Sequence, residues 1–138
     1  MTWYRIRRRS KRQSSVTKHY LNHKELTRKL VMSRLEYFNQ YYNFTYNRVA
    51  IRNQKRCWGS CTSLKNLNFS YRLLFLPPEL CDYVIVHELC HLAELNHSAN
   101  FWALVAKTIP DYQEKISALK AHEHLAIKNL KYERDYIS

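Results

Sequence analysis

The stretch that most constrains this chain is an apolar run that leads directly into an H-E-x-x-H motif. Pro77-Pro78 comes first, and proline is well placed in the first turn of a helix. Residues 83–86 are continuously apolar. Residues four apart lie on the same face of a helix, so His87 and His91 can direct their ring nitrogens at one point. We therefore predict a buried helix over about residues 78–95.

The polar residues of this helix favour a metal site. Zinc in a catalytic site takes three protein ligands and keeps a fourth position for water. His97 follows the predicted end of the helix, where a turn could bring it back beside His87 and His91 as the third ligand. The alternative is an amphipathic helix whose histidines are solvated or satisfied in the core. Two histidines and Glu88 after an apolar run are costly unless they share a metal, so the sequence predicts zinc.

Few residues of this chain interrupt helices. Its 138 residues include one glycine and three prolines, which predicts one helix-rich domain with short connections. No apolar run approaches the length of a membrane span and no signal peptide opens the sequence, so we predict a soluble cytoplasmic protein with no membrane role. Reduced cysteines are expected there. Cys57 and Cys61 could form half of a structural zinc site, but no second pair follows, which favours a packed turn around Gly59. Gly59 is expected to hold a backbone angle that other residues resist.

The net charge of +12 favours anionic partners. Residues 1–20 are rich in arginine and lysine, and no acidic residue precedes Glu25. We interpret this segment as a basic N-terminal arm that could bind nucleic acid, with Trp3 and Tyr4 able to stack on bases. A solvated tail, or a short strand over residues 3–6, is the alternative. Residues 21–138 would then form the single domain.

Apolar periodicity predicts the other elements. A capping box at residues 22–25 predicts the start of a scaffold helix. Two stretches alternate as strands do, and the second of them is the clearest strand in the chain. Ser98 is the expected N-cap of the helix that follows His97, and Pro110 separates it from the last one. The predicted helices cover about residues 23–42, 78–95, 98–109 and 111–130, and the predicted strands cover residues 49–53 and 67–75.

A series of short motifs between residues 51 and 119 resembles one known family. The motifs are Arg52-Asn53-Gln54-Lys55, Trp58-Gly59-Ser60-Cys61, Tyr71-Arg72-Leu73-Leu74, Pro77-Pro78-Glu79, residues 82–89, His91-Leu92, Asn96-His97-Ser98, Phe101-Trp102 and Pro110-Asp111-Tyr112. In this order they are similar to the YgjP-like zinc metallopeptidases, which are related to WLM and SprT proteins. The family usually has arginine before Trp-Gly-Ser-Cys, where this chain has Cys57. Longer members also carry an N-terminal β-rich region, so a reduced sheet is expected here.

The resemblance implies a zincin-like α+β fold, with a small β-sheet packed on the active-site helix and additional C-terminal helices. It implies His87, His91 and His97 as zinc ligands and Glu88 as the catalytic residue. The expected function is a zinc-dependent metallopeptidase, a hydrolase of the HExxH type. Glu88 would act as general base on a zinc-activated water, and the substrate would be a protein or peptide. That substrate would pair with an edge of the strand over residues 67–75.

Four further residues are candidates for supporting roles. Asp82 and Glu94 are candidates for orienting the histidines, and Tyr71 and Arg72 are candidates for stabilising an oxyanion. The alternative function is a basic nucleic-acid-associated protein whose zinc centre acts on DNA-bound proteins or is only structural. Glu88 counts against a purely structural site, because such a site needs no base.

Overall fold

The computed structural model describes the backbone of residues 11–137 and the side chains of residues 17–124. Its elements follow the chain as α1 (Lys11–Asn39), β1 (Arg48–Arg52), β2 (Gly59–Cys61), β3 (Asn66–Ser70), a 3-10 helix (Tyr71–Phe75), α2 (Pro78–Cys90), α3 (Ala99–Thr108) and α4 (Tyr112–Ile137). A small sheet combined with helices confirms the predicted α+β fold.

The sheet has the strand order β1-β3-β2, with β1 parallel and β2 antiparallel to β3. Ile51 lies opposite Phe69 in the parallel pair, and both side chains are buried, whereas Arg52 next to Ile51 is exposed. Successive side chains of a strand point to opposite faces, so one face of the sheet packs on the core and the other is polar. β3 is the central strand and has partners on both sides. The prediction that this strand offers an edge to a peptide is therefore wrong.

The predicted strand over residues 67–75 is correct only in its first half. The chain leaves the sheet at Ser70, whose hydroxyl oxygen accepts a hydrogen bond from the backbone N–H of Arg72 at 3.2 Å. This side-chain cap starts the 3-10 helix Tyr71–Phe75, because it satisfies a backbone donor that would otherwise need a strand partner. Leu73 is buried, but Phe75 is 51% exposed.

Helix α1 begins at Lys11, well before the predicted capping box, which lies inside the helix. Its early turns dock on the sheet, since the Tyr20 hydroxyl donates to the carbonyl oxygen of Ile51 at 2.8 Å. This tertiary contact stabilises the helical conformation of the early turns of α1, where the sequence has little apolar periodicity. Residues 11–20 of the predicted arm are therefore helical. The alternative strand over residues 3–6 lies outside the described residues.

Helix α2 lies at the centre of the domain and is buried along most of its length. It is fixed to α1 by Arg34, whose guanidinium donates to both carboxylate oxygens of Asp82 at 2.8 and 2.9 Å. The helix ends at Cys90, earlier than predicted, and His91 is its C-cap. None of the helices in the described part of the chain has the length and apolar character needed to cross a bilayer.

Candidate metal centre

The C-terminal end of α2 and the turns that follow bring three histidines together. His87 lies in the last turn of the helix, and His91 is the C-cap, with φ −65° and ψ −16°. A series of turns follows, in which the N–H groups of Ala93 and Glu94 both bond to the carbonyl oxygen of Cys90 at 3.1 Å. These turns reverse the chain, so His97 returns to the face of the helix that carries the other two histidines.

The ring nitrogens of the three histidines converge on one point. The Nε2 atom of His87 lies 3.1 Å from Nε2 of His91 and 3.2 Å from Nε2 of His97. The ligand atoms of all three lie within 4.8 Å of one another. Zinc–nitrogen bonds of about 2.0–2.1 Å in a tetrahedral site place ligand nitrogens about 3.3–3.4 Å apart. The group therefore has the dimensions of a three-histidine metal site.

Two of the imidazoles are hydrogen-bonded through Nδ1, which fixes the ring so that Nε2 faces the point where the three histidines converge. The Nδ1 atom of His91 lies 2.8 Å from the carbonyl oxygen of Glu94, which can only accept, so Nδ1 carries the proton and Nε2 keeps its lone pair. The Nδ1 atom of His87 lies 3.1 Å from the hydroxyl of Tyr83. Metal-binding histidines are commonly held in this way.

These partners differ from the two that the sequence suggested. Asp82 binds Arg34 instead of a histidine, and Glu94 contributes its backbone carbonyl rather than its carboxylate. Tyr83 was missed. Its position four residues before His87 was a usable signal, because residues at that spacing share a helix face.

Burial keeps the imidazoles of His87 and His91 neutral by lowering their pKa values. It is the main reason that the pKa of His87 falls to about 3, with smaller contributions from the neighbouring His91 and His97. Burial likewise lowers the pKa of His91. Neutral imidazole is the form that binds a metal ion, so the electrostatics of the group suit a ligand set.

The side chain of Glu88 is buried beside the histidines. Its Oε1 atom lies 3.8 Å from Nε2 of His87, and because that imidazole is neutral the contact is not an ion pair. Its Oε2 atom is buried with no hydrogen-bond partner among the described residues. Burial raises the pKa of Glu88 to about 8. Buried polar atoms in proteins nearly always have a partner, so a carboxylate oxygen left over beside three imidazoles fits a site for a metal ion and water.

Gly59 lets the sheet approach this carboxylate closely. A Cβ atom at this position would lie 2.9 Å from Cγ of Glu88 and 3.1 Å from the carbonyl oxygen of Asn68. The prediction of an unusual backbone angle at Gly59 is wrong, because its φ is not positive. The residue is needed because there is no space for a side chain between β2 and α2.

Helix α3 covers the histidines with aromatic rings. Ser98 is its N-cap, as predicted, and its hydroxyl oxygen accepts from the N–H of Phe101 at 3.3 Å. The ring of Phe101 stacks on His91 with 4.4 Å between centroids, and Trp102 stacks on His97 at 5.8 Å. These rings restrict the orientation of the imidazoles and exclude water from one side of the group.

The remaining candidates have other contacts. The Tyr71 hydroxyl lies 3.0 Å from Nδ1 of His19, and Arg72 donates to the carbonyl oxygen of Gln54 at 2.9 Å. Neither contact involves His87, His91 or His97. Cys57 is exposed and Cys61 is a free thiol. Among the described residues, His87, His91 and His97 are the group that could hold a metal, so the paired-cysteine site gains no support.

Comparison with known proteins identifies the domain as that of a metallopeptidase. A family model described as the YgjP-like metallopeptidase domain matches residues 4–122. The chain therefore belongs to the YgjP-like metallopeptidase family, as its motifs indicated. The match extends further toward the N-terminus than residues 51–119, where those motifs lie. A search of curated proteins found no significant match.

Two solved structures share this fold. One is the crystal structure of the metallopeptidase zymogen of Pyrococcus abyssi abylysin, with 24% identity and a TM-score of 0.61, covering 67% of this chain and 93% of that chain. The other is the crystal structure of the metallopeptidase zymogen of Methanocaldococcus jannaschii jannalysin, with 22% identity and a TM-score of 0.54, covering 72% of this chain and 96% of that chain. At these identities the likeness concerns the fold.

Proposed function

We propose that this chain is a zinc-dependent peptidase of the HExxH type, in which His87, His91 and His97 hold the zinc and Glu88 is the general base. One observation carries the proposal. Three Nε2 atoms converge, with distances of 3.1 and 3.2 Å from His87 to the other two, beside a buried carboxylate oxygen that lacks a partner. The family supplies the substrate class, which is protein or peptide.

The chemistry divides between the ion and the protein. Zinc, when bound, would act as a Lewis acid. It would lower the pKa of water, polarise a carbonyl group and favour the ionised form of a nearby carboxylate. Glu88 takes the proton of the attacking water and later transfers it to the departing amine. Burial raises the pKa of Glu88 to about 8, which helps the carboxyl group to retain that proton between the two transfers.

The surrounding residues hold these groups in position. Tyr83 and the carbonyl of Glu94 orient two imidazoles from behind, and Gly59 lets β2 pack on the side chain of Glu88. Geometry of this kind matters because a displacement of about 1 Å can reduce the rate about a hundredfold.

The substrate pairs with β2 in this proposal. Among the residues that the structure describes, β2 is an outer strand of the sheet, whereas β3 is enclosed by its two neighbours. β2 also begins at Gly59, which contacts Glu88. An extended peptide that added a strand to this edge would gain backbone hydrogen bonds and pass beside the general base.

A cleavage assay on the zinc-loaded protein tests the proposal. The substrate is a mixed peptide library whose products are identified by mass spectrometry. Glu88→Gln should lower kcat/KM by about 10²–10⁴-fold while zinc is retained, because the amide cannot accept the proton of water. Glu79→Gln is the matched control, since Glu79 is an exposed acid in the first turn of the same helix. Equal activity of the two variants would refute the role of Glu88.

Nucleic-acid binding by residues 1–20 and a cytoplasmic location remain predictions. The first has its own test, because binding through phosphate contacts weakens steeply as the salt concentration rises. The division into a basic arm over residues 1–20 and a domain over residues 21–138 is likewise proposed.

A further inference from the structure

The sheet region is strongly basic. Between Glu36 and Glu79 the sequence contains no acidic residue. Its basic residues are Arg48, Arg52, Lys55, Arg56, Lys65 and Arg72. A long segment with cations alone gives the surrounding surface a positive potential that attracts anionic groups.

Four of these cations lie at one end of the sheet. β1 and β3 are parallel, and Arg52 pairs with Ser70 at the end of both strands. Arg72 follows Ser70 by two residues, and Lys55 and Arg56 lie in the connection from β1 to β2. We call Arg52, Lys55, Arg56 and Arg72 the cationic end. Arg48 and Lys65 lie at the opposite end, where Arg48 pairs with Asn66.

Neutral acceptors hold two of these guanidinium groups. The Nε atom of Arg52 donates to Oδ1 of Asn68 at 3.0 Å, and Arg72 donates to the carbonyl oxygen of Gln54 at 2.9 Å. Across the described residues, the ion pairs formed by lysine and arginine involve Arg28, Arg34 and Lys115 instead. The two arginines are therefore ordered without being neutralised, which prepares them for an anionic ligand.

The cationic end adjoins the proposed catalytic centre. The N–H of Ser70 donates to the carbonyl oxygen of Trp58 at 2.8 Å, so the residue before Gly59 lies at this end of the sheet. Gly59 in turn packs on Glu88. A peptide paired with β2 and passing Glu88 would therefore continue toward the four cations.

We propose that the cationic end binds acidic side chains of the substrate, so that this peptidase prefers sequences with Asp or Glu near the cleaved bond. The inference rests on the proposed function, because it concerns the same site. It adds a substrate class, namely acidic peptides, and assigns their recognition to Arg52, Lys55, Arg56 and Arg72.

The contacts favour a peptide over a nucleic acid at this place. Single-stranded nucleic acids bind through exposed aromatic faces as well as through cations. The ring beneath Arg72 is that of Tyr71, which is only 3% exposed. The indole N–H of Trp58 donates to Glu123 at 2.7 Å, which ties that ring to α4 and places a carboxylate beside it. Among the described residues Glu123 forms no ion pair with the four cations.

Matched substrates and matched variants test the inference. Peptides that the zinc-loaded wild type cleaves are made again with each Asp or Glu replaced by Asn or Gln. Lys55→Gln/Arg56→Gln should raise KM for the acidic peptides about tenfold with kcat nearly unchanged, because exposed cations contribute to binding and not to the chemical step. It should leave KM for the amide peptides nearly unchanged. Arg48→Gln/Lys65→Gln removes the same charge at the other end of the sheet and should change neither constant.

A binding measurement separates this inference from the peptidase activity. The probes for fluorescence anisotropy on the Glu88→Gln chain are a peptide of about ten residues that alternates Glu and Ala, its Gln counterpart, and a single-stranded oligonucleotide of equal charge. The Glu peptide should bind about tenfold more tightly than the Gln peptide, and Lys55→Gln/Arg56→Gln should remove the difference.

The outcomes are distinct. Cleavage by the wild type with no preference for acidic peptides would overturn the inference and leave the proposed function intact. Tighter binding of the oligonucleotide through Lys55 and Arg56 would also overturn it, in favour of a nucleic-acid surface. Charge-dependent peptide binding without any cleavage would support the recognition surface and contradict the peptidase.

Discussion

Replacing Gly59 with alanine tests whether the sheet positions the proposed general base. The new Cβ atom would lie 2.9 Å from Cγ of Glu88, 3.1 Å from the carbonyl oxygen of Asn68 and 3.3 Å from Cδ1 of Phe69. Carbon atoms in good contact are about 3.5–4.0 Å apart, so Cγ of Glu88 would have to move by roughly 0.6–1.1 Å. The Asn68 carbonyl belongs to the central strand and has little freedom to move.

A displacement of this size should have two effects in Gly59→Ala, one on stability and one on catalysis. Overpacking of this kind destabilises a protein by about 1–3 kcal/mol, which a urea titration of the metal-free chain measures. Displacement of Glu88 by about 1 Å should lower kcat about a hundredfold. Zinc affinity should stay close to that of the wild type, because the three atoms nearest the new Cβ belong to Glu88, Asn68 and Phe69 and not to a histidine.

Ser60→Ala is the control for this experiment. Ser60 follows Gly59 in β2, and its hydroxyl accepts a hydrogen bond from Asn68 at 3.3 Å, so its loss should cost at most about 1 kcal/mol. A Gly59→Ala protein with wild-type stability and wild-type kcat would refute the close approach of β2 to Glu88.

Three further outcomes are expected. Tyr83→Phe should weaken zinc binding about 10–100-fold in a chelator competition, because it removes the hydrogen bond at Nδ1 of His87, and unchanged affinity would show that the hydroxyl does not orient the ring. Asp82→Asn should destabilise the protein by about 1–2 kcal/mol in urea without changing zinc affinity, because Asp82 binds Arg34 and not a histidine; weakened zinc binding would argue otherwise. In the metal-free chain burial raises the pKa of Glu88 to about 8, so the folded state holds a proton that the unfolded state has released, and the contribution of Glu88 to stability is lost as the pH rises from about 5 to 8. The lowered pKa of His87 acts in the opposite direction up to about pH 6.5, so the net fall in stability is expected between about pH 6.5 and 8. Glu88→Gln should remove that part of the pH dependence, and an unaltered pH profile would count against the buried carboxyl group.

The motif and the elements around it were largely accessible from the sequence. The apolar run, the prolines and the spacing of His87 and His91 predicted α2 because helical periodicity is a local property. Ser98 predicted the start of α3 for the same reason. The family motifs then predicted the α+β fold and the metallopeptidase class. His97 could be proposed from its position after the helix, although the turns that return it depend on backbone contacts.

The errors arose where tertiary contacts compete with local pattern. Residues 67–75 alternate as a strand does, yet Ser70 caps a 3-10 helix and ends the strand at that point. The early turns of α1 have weak periodicity and are supported by contacts such as that of Tyr20 with β1. Gly59 stands out in the sequence as the one glycine, but a glycine is required there because Glu88, which lies far along the chain, is close to it. No local pattern specifies such an approach.

The zinc content of the purified chain shows directly whether the three histidines hold a metal ion. The protein is reconstituted with zinc, freed of unbound metal and analysed for metal per chain, beside a His97→Ala variant. We expect about one zinc per chain for the wild type and clearly less for the variant, because loss of one of three ligands weakens the site. Failure of the wild type to retain zinc would refute the proposed three-histidine zinc site, and equal retention by the variant would show that His97 is not a ligand.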